Sequence, residues 1–102
     1  MSESTEQQNI IVGVAWYRPD QWQRIRDISI DGDEMEDSYE EWLLSAEQFL
    51  KEFSGPGKRF EKVDVDSEQL ILWCNTRGLE VNAKARSQYV ADKVRQMDKT
   101  RR

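Results

Sequence analysis

Two short runs of strand character, Ile10 to Tyr17 and Phe60 to Val65, stand apart in a chain whose other apolar residues follow helical spacing. The first, Ile10-Ile11-Val12-Gly13-Val14-Ala15-Trp16-Tyr17, is continuous, apolar and rich in β-branched and aromatic residues. That composition marks a strand covered on both faces. In the second, Val63 and Val65 share one face while Phe60 is out of phase, so a bulge or a very short strand is expected. Antiparallel neighbours are usually joined by a tight hairpin, whereas parallel ones need a long crossover. A helical stretch lies between these two runs, so they are expected to pair in parallel.

The helical segments have readable ends. Pro19 fits a first helical position and Asp20 suits the positive end of the dipole, with Trp22, Ile25 and Ile28 forming one apolar stripe. Met35, Tyr39, Trp42, Leu43, Ala46, Phe49, Leu50 and Phe53 predict a second helix, with Trp42, Phe49 and Leu50 largely buried. Asp33 with Glu36, or Ser38 with Glu41, supplies its capping box, and Gly55-Pro56-Gly57 stops it. Asp66-Ser67 caps a third helix carrying Leu70, Ile71, Trp73 and Cys74, which ends at Gly78. Asn82 caps a fourth, with Tyr89, Val90, Val94 and Met97 inward. The expected fold is therefore α+β, in the order β-α-α-β-α-α: a small two-stranded parallel sheet packed by about four helices. Pro19-Asp20-Gln21-Trp22 and Ser67-Glu68-Gln69-Leu70 open their helices alike, although four positions are too few to establish a repeat.

The 102 residues suit one domain, and four Trp, three Tyr and three Phe argue for a folded one. Residues 1–8 read as a disordered polar tail, 9–97 as a single compact domain and 98–102 as a frayed basic end. No secretory segment and no apolar run of bilayer length is seen, so no membrane is expected and the cytoplasm is the expected location. The net charge of −5 conceals an asymmetry. Residues 1–75 carry 7 cations against 17 anions and residues 76–102 carry 8 against 3, which is −10 followed by +5.

Chemistry is conspicuous by what the composition omits. With no histidine, Ser-His and Cys-His nucleophiles and the commonest metal ligand are excluded. The single Cys74 excludes thiolate zinc sites and falls on an apolar helical stripe, so it reads as an inert core thiol. Asp31-Gly32-Asp33 opens like a calcium loop, but Met35, Glu36 and Trp42 occupy the places that need Asp or Asn, Gly and Glu. Ser54-Gly55-Pro56-Gly57-Lys58 has the wrong spacing for a phosphate loop. No cofactor, metal or catalytic residue is expected.

Val14-Ala15-Trp16-Tyr17-Arg18-Pro19 and Tyr39-Glu40-Glu41-Trp42-Leu43, with a weaker echo in Val63-Asp64-Val65-Asp66, resemble a group of short bacterial proteins of unknown function. The resemblance implies a bacterial origin and a genuine compact domain, and brings no activity with it.

Two candidate surfaces remain. If the strands are parallel, Trp16, Tyr17, Arg18 and Asp20 lie at the carboxyl end of the sheet beside Asp64, Asp66 and Ser67, where α/β units collect ligands. The bland alternative makes Trp16 and Trp22 core residues and pairs Arg18 with Asp64 or Asp66. That surface points to a non-catalytic module binding another protein or a second copy. The competing reading is nucleic-acid binding through Lys84, Arg86, Lys93 and Arg95 on the last helix, preceded by a helix–turn–helix-like glycine turn at Gly78. The acidic whole disfavours it.

Overall fold

The structure, a computed structural model, describes residues 10–100. Its elements are β1 (Ile10–Trp16), α1 (Pro19–Ile28), a 3-10 turn (Gly32–Glu34), α2 (Tyr39–Phe53), β2 (Lys58–Asp64), α3 (Ser67–Thr76) and α4 (Ala83–Thr100). The fold is α+β in the expected order, and its two strands are parallel. The tail expected over residues 1–8 lies outside the described residues, as do Arg101 and Arg102. The backbone of α4 is helical through Thr100, within the stretch expected to fray.

The ladder runs without interruption from Ile10 opposite Lys58 to Trp16 opposite Asp64. There is accordingly no bulge at Phe60. Phe60 is out of phase with Val63 because it serves the other face of the sheet. Side chains alternate across a strand, so Gly13, Ala15 and Val63 face α4 while Val12, Trp16 and Phe60 face α2. On the α4 side a Cβ at Gly13 would lie 2.6 Å from Val94 Cγ2 and 2.7 Å from Val90 Cγ1, so glycine is what lets helix and strand approach. On the α2 side the Trp16 and Trp42 rings meet edge to face at 5.2 Å, and Phe49 meets Phe60 at 5.8 Å.

The caps form as their residue types dictate. The Glu41 N–H donates to Ser38 Oγ at 3.1 Å, the Gln69 N–H to Asp66 at 3.0 Å and the Ala85 N–H to Asn82 at 2.9 Å. The second capping box is thus the one used, and α2 begins after Ser38. Gly78, at φ +66°, ends α3 with the Leu79 N–H donating to the Cys74 carbonyl.

One core joins all four helices to the sheet: Tyr17, Trp22, Ile25, Trp42, Val63, Val65, Leu70, Cys74, Ala85, Tyr89 and Val90. Trp42 is its hub on the α2 side, in ring contact with Trp16, Tyr17, Trp22 and Tyr39. The expectation that Phe49 is largely buried fails, since it is 42% exposed, and Leu50 is half-buried. A two-stranded sheet is too narrow to cover both ends of a 15-residue helix, so the far half of α2 leaves Phe49 and Phe53 packed against each other, rings tilted, at the surface.

Each strand and the helix after it recur at one spacing. Paired strand residues are 58 − 10 = 48 positions apart, and α1 starts 67 − 19 = 48 positions before α3. Gln21 then matches Gln69, and Trp22 matches Leu70, both buried.

Candidate functional site at the carboxyl end of the sheet

β1 and β2 end side by side, and each leads within three residues into a helix. The starts of α1 and α3 are tied together by the Ser67 N–H, which donates to Gln21 Oε1 at 2.8 Å. That bond satisfies one of the unpaired amides of a helix start and is why Ser67 is buried.

The surface expected here divides into a buried and an exposed layer. Tyr17 and Trp22 are core, and Trp16 is half-buried beneath Lys62, whose Nζ stands 4.2 Å over its ring. Above them Arg18 lies among three carboxylates. Its Nε donates to Asp64 Oδ1 at 2.8 Å, while its terminal nitrogens stand 3.7 Å from Asp66 and 3.8 Å from Asp20. These groups are solvent-accessible, the Arg18 side chain being 46% exposed and that of Asp64 60%. The two longer approaches are ion pairs and not hydrogen bonds. The guanidinium is therefore aimed by Asp64, and its terminal donors remain available to water or a partner.

A groove of about 590 Å³ continues from this cluster around the end of β2. Arg18, Asp64 and Asp66 form one wall, and Lys62, Gln69, Tyr89, Lys93 and Met97 complete it. Burial, reinforced by the negative field of Asp66 and Asp64, holds the Tyr89 phenol above its ordinary value, so it stays neutral at physiological pH. Lys62, Gln69 and Tyr89 were not singled out by sequence. Strand alternation was the available signal for Lys62, since it sets Lys62 on the same face as Asp64 at the strand end.

The cations of α4 do not make one face. Arg86 is buried: its guanidinium donates to Ser29 Oγ at 2.8 Å and to Asp31 at 3.0 Å. Arg95 pairs with Asp92 at 3.0 Å, Lys93 lies 5.4 Å over the Tyr89 ring, and Lys84 is exposed. As a phosphate contact Arg86 is corrected: it sits in the interior, already paired with Asp31. Cys74 is fully buried, and burial pushes its thiol pKa up against the weaker opposing effects of Arg77 and Arg86.

Among the described residues no cluster of Cys, Asp or Glu could hold a metal ion, and no helix is long and apolar enough to cross a membrane. Protein-family models, curated proteins and solved structures yield no match to this chain.

Proposed function

We propose that this protein is a non-catalytic interaction module that presents the Arg18 cluster to another protein. The observation that supports it is the fixed, exposed guanidinium: Arg18 is aimed by Asp64 at 2.8 Å yet keeps its terminal donors toward solvent. An arginine already held in place loses less entropy on binding than a mobile one, and arginines of this kind dominate many interfaces. The cluster rests on a rigid aromatic layer, so the geometry survives contact. Both signs of charge line the adjoining groove, which suits a polar protein surface better than a simple anion. We place the module in the bacterial cytoplasm on the strength of the family resemblance and the lack of membrane-spanning character.

The test is affinity capture from a lysate of the source organism with Arg18→Ala and Asp64→Ala beside the parent. Exposed pairs contribute about 0–1 kcal/mol, so both variants should keep nearly the parent's thermal midpoint. Loss of a captured partner in both supports the reading. Undiminished capture by Arg18→Ala refutes it.

A further inference from the structure

The two strands treat their outer edges differently. β2 reads Lys58-Arg59-Phe60-Glu61-Lys62-Val63-Asp64, and charges of this density discourage pairing with another chain. β1 reads Ile10-Ile11-Val12-Gly13-Val14-Ala15-Trp16 and carries none. That is the composition of an interior strand, yet among the described residues β1 pairs with β2 alone.

The ladder identifies which backbone groups are left over. The Ile10 N–H donates to the Gly57 carbonyl at 2.8 Å, so Ile10 and every second residue after it turn toward β2. The N–H and C=O groups of Ile11, Gly13 and Ala15 turn outward, and no hydrogen bond to them is made by any described residue outside the ladder. Beside this edge runs a groove of about 220 Å³, lined by Gly13, Ala15 and Tyr17 of the sheet side and by Ala83, Arg86, Ser87 and Val90 of α4. The small residues Gly13, Ala15, Ala83 and Ser87 leave this space between helix and strand edge unfilled.

We propose that this edge is a docking site for an extended segment of a partner protein, which adds to β1 as a third strand beneath α4. The proposal rests on the reading as a protein-interaction module and supplies the partner's conformation. Donors and acceptors at alternate residues match an extended chain and no compact surface. The side chains that the partner turns toward α4 must be small, because Tyr17, Arg86 and Val90 also bound the space and it holds only about 220 Å³. Those on its other face continue the apolar surface of Val12 and Val14.

A second copy of β1 does not fit. A symmetric pair of edges has to be antiparallel, because the slanted parallel ladder cannot be shared equally by two identical strands. That symmetry places both α4 helices on one face. Adjacent strands lie about 4.8 Å apart, whereas packed helices need about 8–10 Å. Since α4 already stands over β1 at Gly13, the two helices would collide. A bare strand brings no helix. An edge three outward residues long also buries far less than the roughly 1,200 Å² of a stable dimer, which suits a transient peptide contact.

Amide hydrogen exchange followed by NMR tests the site without a ligand, and a phage-displayed library of random peptides supplies the probe. In the isolated protein the amides of Ile11, Gly13 and Ala15 should exchange at least tenfold faster than those of Val12 and Val14. Equal protection would mean the edge is already covered and overturns the proposal. Peptides enriched from the library should slow exchange at those three amides. They should bind at least tenfold more weakly to Ala15→Pro, which removes an outward donor, and to Ser87→Trp, which fills the groove from an exposed position and leaves the core intact. No enrichment over a blank surface, or enriched peptides that protect other amides, would also overturn it. Partner capture lost through Arg18→Ala in the same preparation leaves the broader module reading standing when the strand site fails.

Discussion

Arg86 reaches both carboxylate oxygens of Asp31, at 3.0 and 3.4 Å, from 55 residues further along the chain. Asp31 also accepts the Ala83 N–H at 2.9 Å, so one carboxylate caps α4 and neutralises its buried arginine. Both side chains are mostly buried, at 10% and 17% exposure. Removing one member of a buried pair strands the other, at a cost of about 3–5 kcal/mol. Asp31→Ala is therefore expected to lower the denaturation midpoint sharply, while the double variant Asp31→Ala with Arg86→Met should recover part of the loss. Chemical denaturation of the parent and the two variants measures the recovery.

The same pair sets an acid limit. Burial pushes the Asp31 carboxyl upward, but the bond and charge of Arg86 and the Ala83 N–H together outweigh it and hold its pKa below the ordinary 3.8. A carboxyl depressed on folding binds its proton more weakly in the native state. Its stabilisation is thus complete above about pH 4 and drains away as pH falls through the folded value. Unfolding free energies measured from pH 6 down to pH 2 should decline less steeply for Asp31→Asn, starting from a lower plateau.

Trp42→Ala should cost about 3–5 kcal/mol, because the indole touches four other rings and its removal opens the core. Leu44, two residues along α2 on the opposite face and 69% exposed, should change stability by less than about 0.5 kcal/mol when replaced by Ala. Urea midpoints of the two variants separate the covered face of α2 from the open one.

Gly13→Ala should destabilise by about 1–3 kcal/mol, since the added methyl meets the stiff side chains of Val90 and Val94 at 2.7 and 2.6 Å. Val90→Ala in the same chain makes room, so the double variant should cost less than the sum of the two single changes. Thermal midpoints of the set measure that coupling.

Cys74 should resist a disulfide reagent at pH 8 and react fully in denaturant, because only unfolding exposes the thiolate. Rapid native labelling would place the sulfur at the surface.

The element order was legible because each signal was local. Pro19, Ser38, Asp66 and Asn82 stand at helix starts for reasons that reach only a few residues, and Gly78 ends a helix for the same kind of reason. Parallel pairing followed from the length of the crossover. What escaped depends on distant partners. Arg86 sits three and four residues before Tyr89 and Val90, on the stripe expected to face inward, so its burial had a signal. Its partner Asp31 did not, being read as part of a turn. Phe49 shares the periodicity of Trp42, and nothing in the sequence states how far a two-stranded sheet extends beneath a helix. The clustering of Arg18 with Asp64 and Asp66 was open to inference once the strands were taken as parallel, whereas the groove beyond it required the path of α4.

The constant 48-residue offset between paired strand residues has a kinetic consequence. Neither half of the chain owns a sheet, since each brings a single strand whose ladder lies in the other. Closing so long a loop must come before any of those bonds forms, so chain entropy opposes the first contact and folding should be slower than for a helical bundle of equal length. It also makes the exposed Gly55-Pro56-Gly57 connection a natural seam. Cleaved there, the two βαα pieces should be unstructured apart and reassemble into the intact fold on mixing.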